Sequence, residues 1–182
     1  MENYEMPIPT EDKDAFFDQL RRKTQYCSEE EYRKEAEKLF GRVPLSGVCI
    51  NINLIRDRTN PELKGYDPES IRILVNEDYY SKKFSKDYTE MIPYDLEHEN
   101  WELYYCVKKG YNPDTVDIRE GRNRHFGKAH YLAVRQALRK AHGEGKLNGY
   151  LSFMKEQLES LDPDNYQREY SYYEKEAEKQ RK

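Results

Sequence analysis

Two short runs alternate with a period of two, and they set the problem that the rest of the chain has to solve. In 48–55, Ile50, Ile52 and Leu54 alternate with Cys49, Asn51 and Asn53, and 71–76 repeats the signal after a stretch of turn residues (Asn60, Pro61, Gly65, Asp67, Pro68). Two strands do not hold together alone in water, so they must lean on helices. The fold class this predicts is α+β, a small β-sheet packed by several helices.

The helices are well signed. Residues 10–26 form a first one, with Phe16, Phe17 and Leu20 on its apolar side. Ser28 followed by Glu31 is a capping box, Tyr32, Ala36 and Leu39 make the stripe behind it, and Gly41 stands at its stop. Segment 77–93 reads as a polar connection. Helix 95–109 follows Pro93, places Leu96, Leu103 and Val107 on a core-facing stripe, and ends at Gly110 before Asn112 and Pro113. Residues 115–118 read as a brief strand or extended link. Helix 128–142 puts His130, Val134, Ala137, Leu138 and Ala141 on one face, and helix 147–161 aligns Leu147, Leu151, Met154, Leu158 and Leu161. The expected division is an N-terminal helical arm over 1–46, an α+β core over 47–161 and a polar C-terminal tail over 162–182, either a frayed helix or a mobile tail.

Composition narrows the classes. The chain of 182 residues is 36% charged, but its 17 Tyr, six Phe and one Trp supply the large side chains that disordered chains lack. Cys27, Cys49 and Cys106 form no CxxC pair, so neither a disulfide framework nor a cysteine zinc ribbon is supported, and a reducing cytoplasm is expected. The start has no basic, apolar leader, and no apolar run approaches the roughly 18 residues of a membrane span. No glycine-rich phosphate loop, GxSxG turn or Cys–His nucleophile is present.

Chemistry concentrates at His98, Glu99 and Glu102. On a helix His98 and Glu102 lie one turn apart on the same face, and two side chains so placed can share one ion. His130 sits on a face that is otherwise apolar, where a polar group needs something to compensate it. Read without a metal, the same residues are a solvated face carrying His98, Glu99 and Glu102, with His130 bonded to a backbone carbonyl at the core edge.

The segment His98-Glu99-Asn100-Trp101-Glu102 resembles the HExxH helix of zincin-type metallopeptidases. The resemblance implies a zincin-like helix arrangement, His98 as a metal ligand and Glu99 as general base. Glu102 stands where that family has its second His, and the downstream third ligand would be His130, with His125 in reserve. A carboxylate in that place hardens the site, so manganese or iron become candidates beside zinc. The implied function is a metal-dependent, peptidase-like hydrolase acting on a peptide or protein, or an inactive relative of one.

A second reading comes from charge. Between Arg119 and Lys146 eight Lys or Arg face two Glu, a local balance of +6 in a chain of net charge -4. Such segregation suits a non-catalytic module that binds nucleic acid or an acidic protein through Arg122, Arg124, Lys128, Arg135 and Arg139. The bland form of the same pattern is a basic helix paired with acidic neighbours, in which Arg135 or Arg139 neutralises Glu102. A shared metal requires His98, Glu102 and His130 to converge within about 5 Å, whereas a binding module requires the arginines to spread over one open face.

Overall fold

The capping box forms as its residues dictate. The computed structural model describes residues 10–41, 47–56, 63–109 and 128–182. In it the Ser28 side chain accepts from the Glu31 N–H, and Glu31 returns a carboxylate to the Ser28 N–H, opening helix α2 (Glu29–Phe40). Gly41 closes that helix in the left-handed region at φ 69°, which a residue without Cβ adopts at no steric cost. Ahead of it, helix α1 (Thr10–Lys23) ends earlier than the sequence pattern suggested, and Thr24–Cys27 leave as strand β1. Only a partner strand explains that departure. Strand β5 (Arg72–Asn76) has four consecutive buried residues, Ile73 to Asn76, so it needs a neighbour on each side, and β1 supplies the parallel one.

The other neighbour is β2 (Val48–Asn51), antiparallel to β5 with Cys49 opposite Leu74. The expected strand over 48–55 breaks after Asn51. Its second half is β3 (Leu54–Arg56), which abandons β5 to pair with β4 (Leu63–Tyr66). The chain is turned there by Asn53, whose N–H donates to the Ser70 hydroxyl and whose carbonyl accepts from the Asp67 N–H. The expected polar connection also carries structure, a hairpin of β6 (Tyr80–Ser81) and β7 (Lys86–Asp87).

Four helices follow: α3 (Ile92–Lys109), α4 (Lys128–Gly143), α5 (Leu147–Leu161) and α6 (Tyr166–Gln180). The described residues therefore form a mixed α and β fold of six helices with small two- and three-stranded sheets. On α4 the predicted face is buried throughout. On α5 Leu161, counted toward the core, is exposed at the helix end. Of the two forms open to the C-terminal segment, 166–180 takes the helical one, and it is docked rather than frayed: Tyr173 and Ala177 are fully buried, with Tyr166 and Tyr170 packed beside them. Positions 166, 170, 173 and 177 are a helical stripe written in tyrosine and alanine, and it covers α4 and α5.

The core-facing stripe of α3 is displaced as well. Leu103 is buried, but Leu96 and Val107 are only half-buried, while Asp95 and His98 are 5% and 3% exposed. Asp95, His98, Glu99 and Glu102 follow the i, i+3, i+4, i+7 spacing of a single stripe. That polar stripe, rather than its apolar neighbour, carries the most deeply buried charged groups of the helix.

Docking of α6 is testable through its stability cost. Ala177→Asp places a charge in a fully buried position and should lower stability by about 3 kcal/mol in urea unfolding, while exposed Glu174→Ala should stay within about 0.5 kcal/mol. Equal, negligible effects would return this segment to the status of a tail.

Candidate metal centre

Helices α3 and α4 lie against one another more extensively than any other pair of elements, and their contact brings the imidazoles together. His98 and Glu102 are one turn apart on α3, and His130 is in the first turn of α4. His98 Nε2 is 3.1 Å from Glu102 Oε2, His130 Nδ1 is 3.0 Å from the same oxygen, and the two ring nitrogens are 3.0 Å apart. Three polar atoms thus close a nearly equilateral triangle. The His rings are 3% and 8% exposed by residue, while the Glu102 side chain keeps 27% of its surface and is the group that reaches solvent.

Protons cannot satisfy all three edges. If one nitrogen carries the hydrogen, it can be shared along two edges at most, and the third sets two lone pairs against each other. If both nitrogens carry one, two N–H groups face across 3.0 Å. One ligand atom from each of the three residues lies within 4.8 Å of the others, the convergence that a shared divalent ion would need. Two imidazoles and one carboxylate are a donor set that zinc, manganese or iron would accept.

The electrostatics favour a proton on His98 and a charge on Glu102. Burial disfavours the charged ring of His98, but the Glu102 hydrogen bond and the fields of Glu99, Glu102 and Asp95 raise its pKa to about 9. His130 moves down, through burial and the neighbouring His98, with Glu102 opposing. Burial would raise Glu102, yet contact with His130 and His98 holds it well below the carboxylate range. Glu99 goes the other way. Burial lifts its carboxyl, His98 opposes, and Glu102 and Asp95 add to the rise. One ligand atom each from Asp95, His98 and Glu99 lie within 4.8 Å of one another, and buried His98 Nδ1 has no hydrogen-bond partner among the described residues.

His130 is also held from behind. Its Nε2 lies 3.3 Å from the Tyr173 hydroxyl and 3.9 Å from Glu169 Oε1, both on α6. Sequence reasoning missed these two residues. The signal was present in the spacing of 169 and 173, one helical turn, but not in hydropathy.

Of the basic residues, Lys128, Arg135 and Arg139 are exposed and lie at helical spacing along one side of α4. Arg135 pairs with Glu176 at 2.9 Å, Lys140 with Glu97 at 3.1 Å, and Arg139 donates to the Gln136 side chain at 3.4 Å. Neither arginine takes Glu102 as partner. Lys128 is exposed at the start of α4. Arg122, Arg124 and the reserve ligand His125 lie outside the described residues. Two open clefts occur elsewhere, one between the β7 region and α5 and one between α5 and α6, and neither is lined by His98, Glu99, Glu102 or His130.

Comparison with protein-family models, with curated proteins and with solved structures finds no match for the chain.

A buried ionisable triangle costs stability that an apolar one would not. The triple variant His98→Leu, Glu102→Leu, His130→Leu should therefore be more stable than the unsubstituted protein in chelator, by about 1–4 kcal/mol in urea unfolding. A loss of stability of that size would mean that the triangle is there to hold the fold.

Proposed function

We propose that the protein is a metal-dependent hydrolase of the peptidase-like, zincin-like kind, with His98, Glu102 and His130 as the ligands of one divalent ion. The observation that carries this reading is the triangle of 3.0–3.1 Å edges, of which a shared proton closes two at most. A bound ion supplies Lewis acidity toward a carbonyl and toward water. The chain's own residues do the rest. His130 would present its Nδ1, His98 would give up the proton that Glu102, Glu99 and Asp95 favour in the ion's absence, and Glu102 would contribute the compensating negative charge from the solvent-facing side.

Glu99 is the proton acceptor of this reading. It is on the same stripe, one residue from His98, and burial lifts its pKa toward neutrality, where a carboxylate is most effective as a general base. A binding module built on 119–146 is the second reading: Lys128, Arg135 and Arg139 are exposed along one side of α4, with Arg135 also paired to Glu176.

Elemental analysis of protein purified without added metal or a His tag tests the ligand set. Close to one manganese, iron or zinc per chain is expected, lost in His98→Ala and in His130→Ala. Glu99→Gln should keep the metal and lose about 10²–10⁴-fold in turnover of an unfolded protein substrate, with chelator abolishing the rest. Metal-free protein that stays so after incubation with zinc and manganese contradicts the reading. Stoichiometric metal without turnover of any peptide substrate makes the protein an inactive relative.

A further inference from the structure

We propose that Asp95 and Glu99, one turn apart on α3, hold a second divalent cation, with His98 Nδ1 as its nitrogen ligand and the Tyr150 hydroxyl as an outer partner. This inference rests on the reading of His98, Glu102 and His130 as a metal centre, and it makes His98 the bridge between two ions.

Two unpaired polar atoms mark the place. Asp95, His98 and Glu99 each offer a ligand atom within 4.8 Å of the other two. Groups so close commonly close the gap with a hydrogen bond, yet His98 Nδ1 is buried and has no such partner among the described residues. His98 Nε2 is turned toward Glu102, one turn further along α3, so Nδ1 is left for the side of Asp95, one turn back. Tyr150, reaching in from α5, repeats the pattern. It is fully buried, and its hydroxyl also lacks a partner among the described residues. Burial first, and then the charges of Asp95 and Glu99, push its pKa well above the phenol range, so those two carboxylates are the charges that its oxygen feels.

What these atoms have in common is the want of a positive charge between them. Carboxylates four residues apart on a helix repel each other, and a bridging water brings no charge to offset them. A divalent ion does, and it takes the imidazole lone pair at the same time. Two carboxylates and one imidazole make a harder donor set than the first centre, which favours manganese over zinc. Asp95 is 5% exposed, whereas Glu99 is only half-buried and gives the ion a way in. Filling the place ties up the carboxylate that serves as proton acceptor in the hydrolytic reading. The second ion is therefore inhibitory.

Manganese(II) titrated into chelator-stripped protein, with the free ion followed by its electron paramagnetic resonance signal, counts the sites. Two ions per chain are expected, the second more weakly held, and Asp95→Asn should keep the first and lose the second. Tyr150→Phe should weaken the second by about 10–100-fold, and it serves in place of Asp95→Asn should that variant not fold. Frozen, doubly loaded protein should show spin coupling between two ions that share one imidazole, absent from Asp95→Asn, and turnover of an unfolded protein substrate should fall as the second ion binds. One ion per chain, lost in His130→Ala, overturns the proposal and leaves the first centre standing. A second ion whose affinity both variants leave unchanged overturns it too, and one that leaves turnover unchanged overturns the inhibitory role. Uptake of no ion by any form overturns both this proposal and the metal reading beneath it.

Discussion

The carboxylate of Glu102, held between two imidazoles at 3.0 and 3.1 Å, is the contact on which the rest of the structure turns. Burying Asp95, His98, Glu99 and Glu102 along one helical stripe is expensive, because ionisable groups lose their hydration and the helix interior offers no backbone partners in return. Apolar residues at the same four positions would fold more readily. The pKa displacements, with His98 and Glu99 raised and Glu102 and His130 lowered, follow from burial and from how closely these groups are held together.

Everything around the stripe serves to hold it rigid. The three-stranded sheet is small, but its central strand is buried over four residues and, with β2, supports α3. Val134, Ala137, Leu138 and Ala141 of α4 are each fully buried, and their small or branched side chains let that helix approach α3 closely enough for His130 to touch His98 and Glu102. Helix α6 closes the far side of α4 and meets the same imidazole on its other nitrogen. The site is thus built from regular helices rather than loops, which suits a group of atoms that must keep its positions to within a fraction of an ångström.

Much of this was legible in the sequence, for identifiable reasons. His98 and Glu102 were paired by their one-turn spacing, and His130 stood out because every other residue on its face is apolar. What escaped was encoded in weaker terms. Helix α6 is rich in Tyr, Glu and Lys, so hydropathy reads it as solvated, although Tyr173 and Ala177 lie at helical spacing and are fully buried. Strand β1 has no strand signal of its own and exists because β5 needs a parallel neighbour. The polar stripe of α3 was taken for the flank of an apolar one because periodicity counts Leu96 and Val107 as core, and only the packing of α4 shows which stripe faces inward. Cleaner elements, such as the capped α2, needed no tertiary information at all.

Crystallisation with manganese(II), with diffraction data collected for anomalous scattering, addresses the central claim most directly. One strong anomalous peak is predicted about 2.1 Å from His98 Nε2, Glu102 Oε2 and His130 Nδ1, with the three atoms keeping their present separations. Three side chains in the same mutual contact, with excess manganese in the crystal and no peak between them, would show that the triangle is a hydrogen-bonded cluster and that the protein's function lies elsewhere.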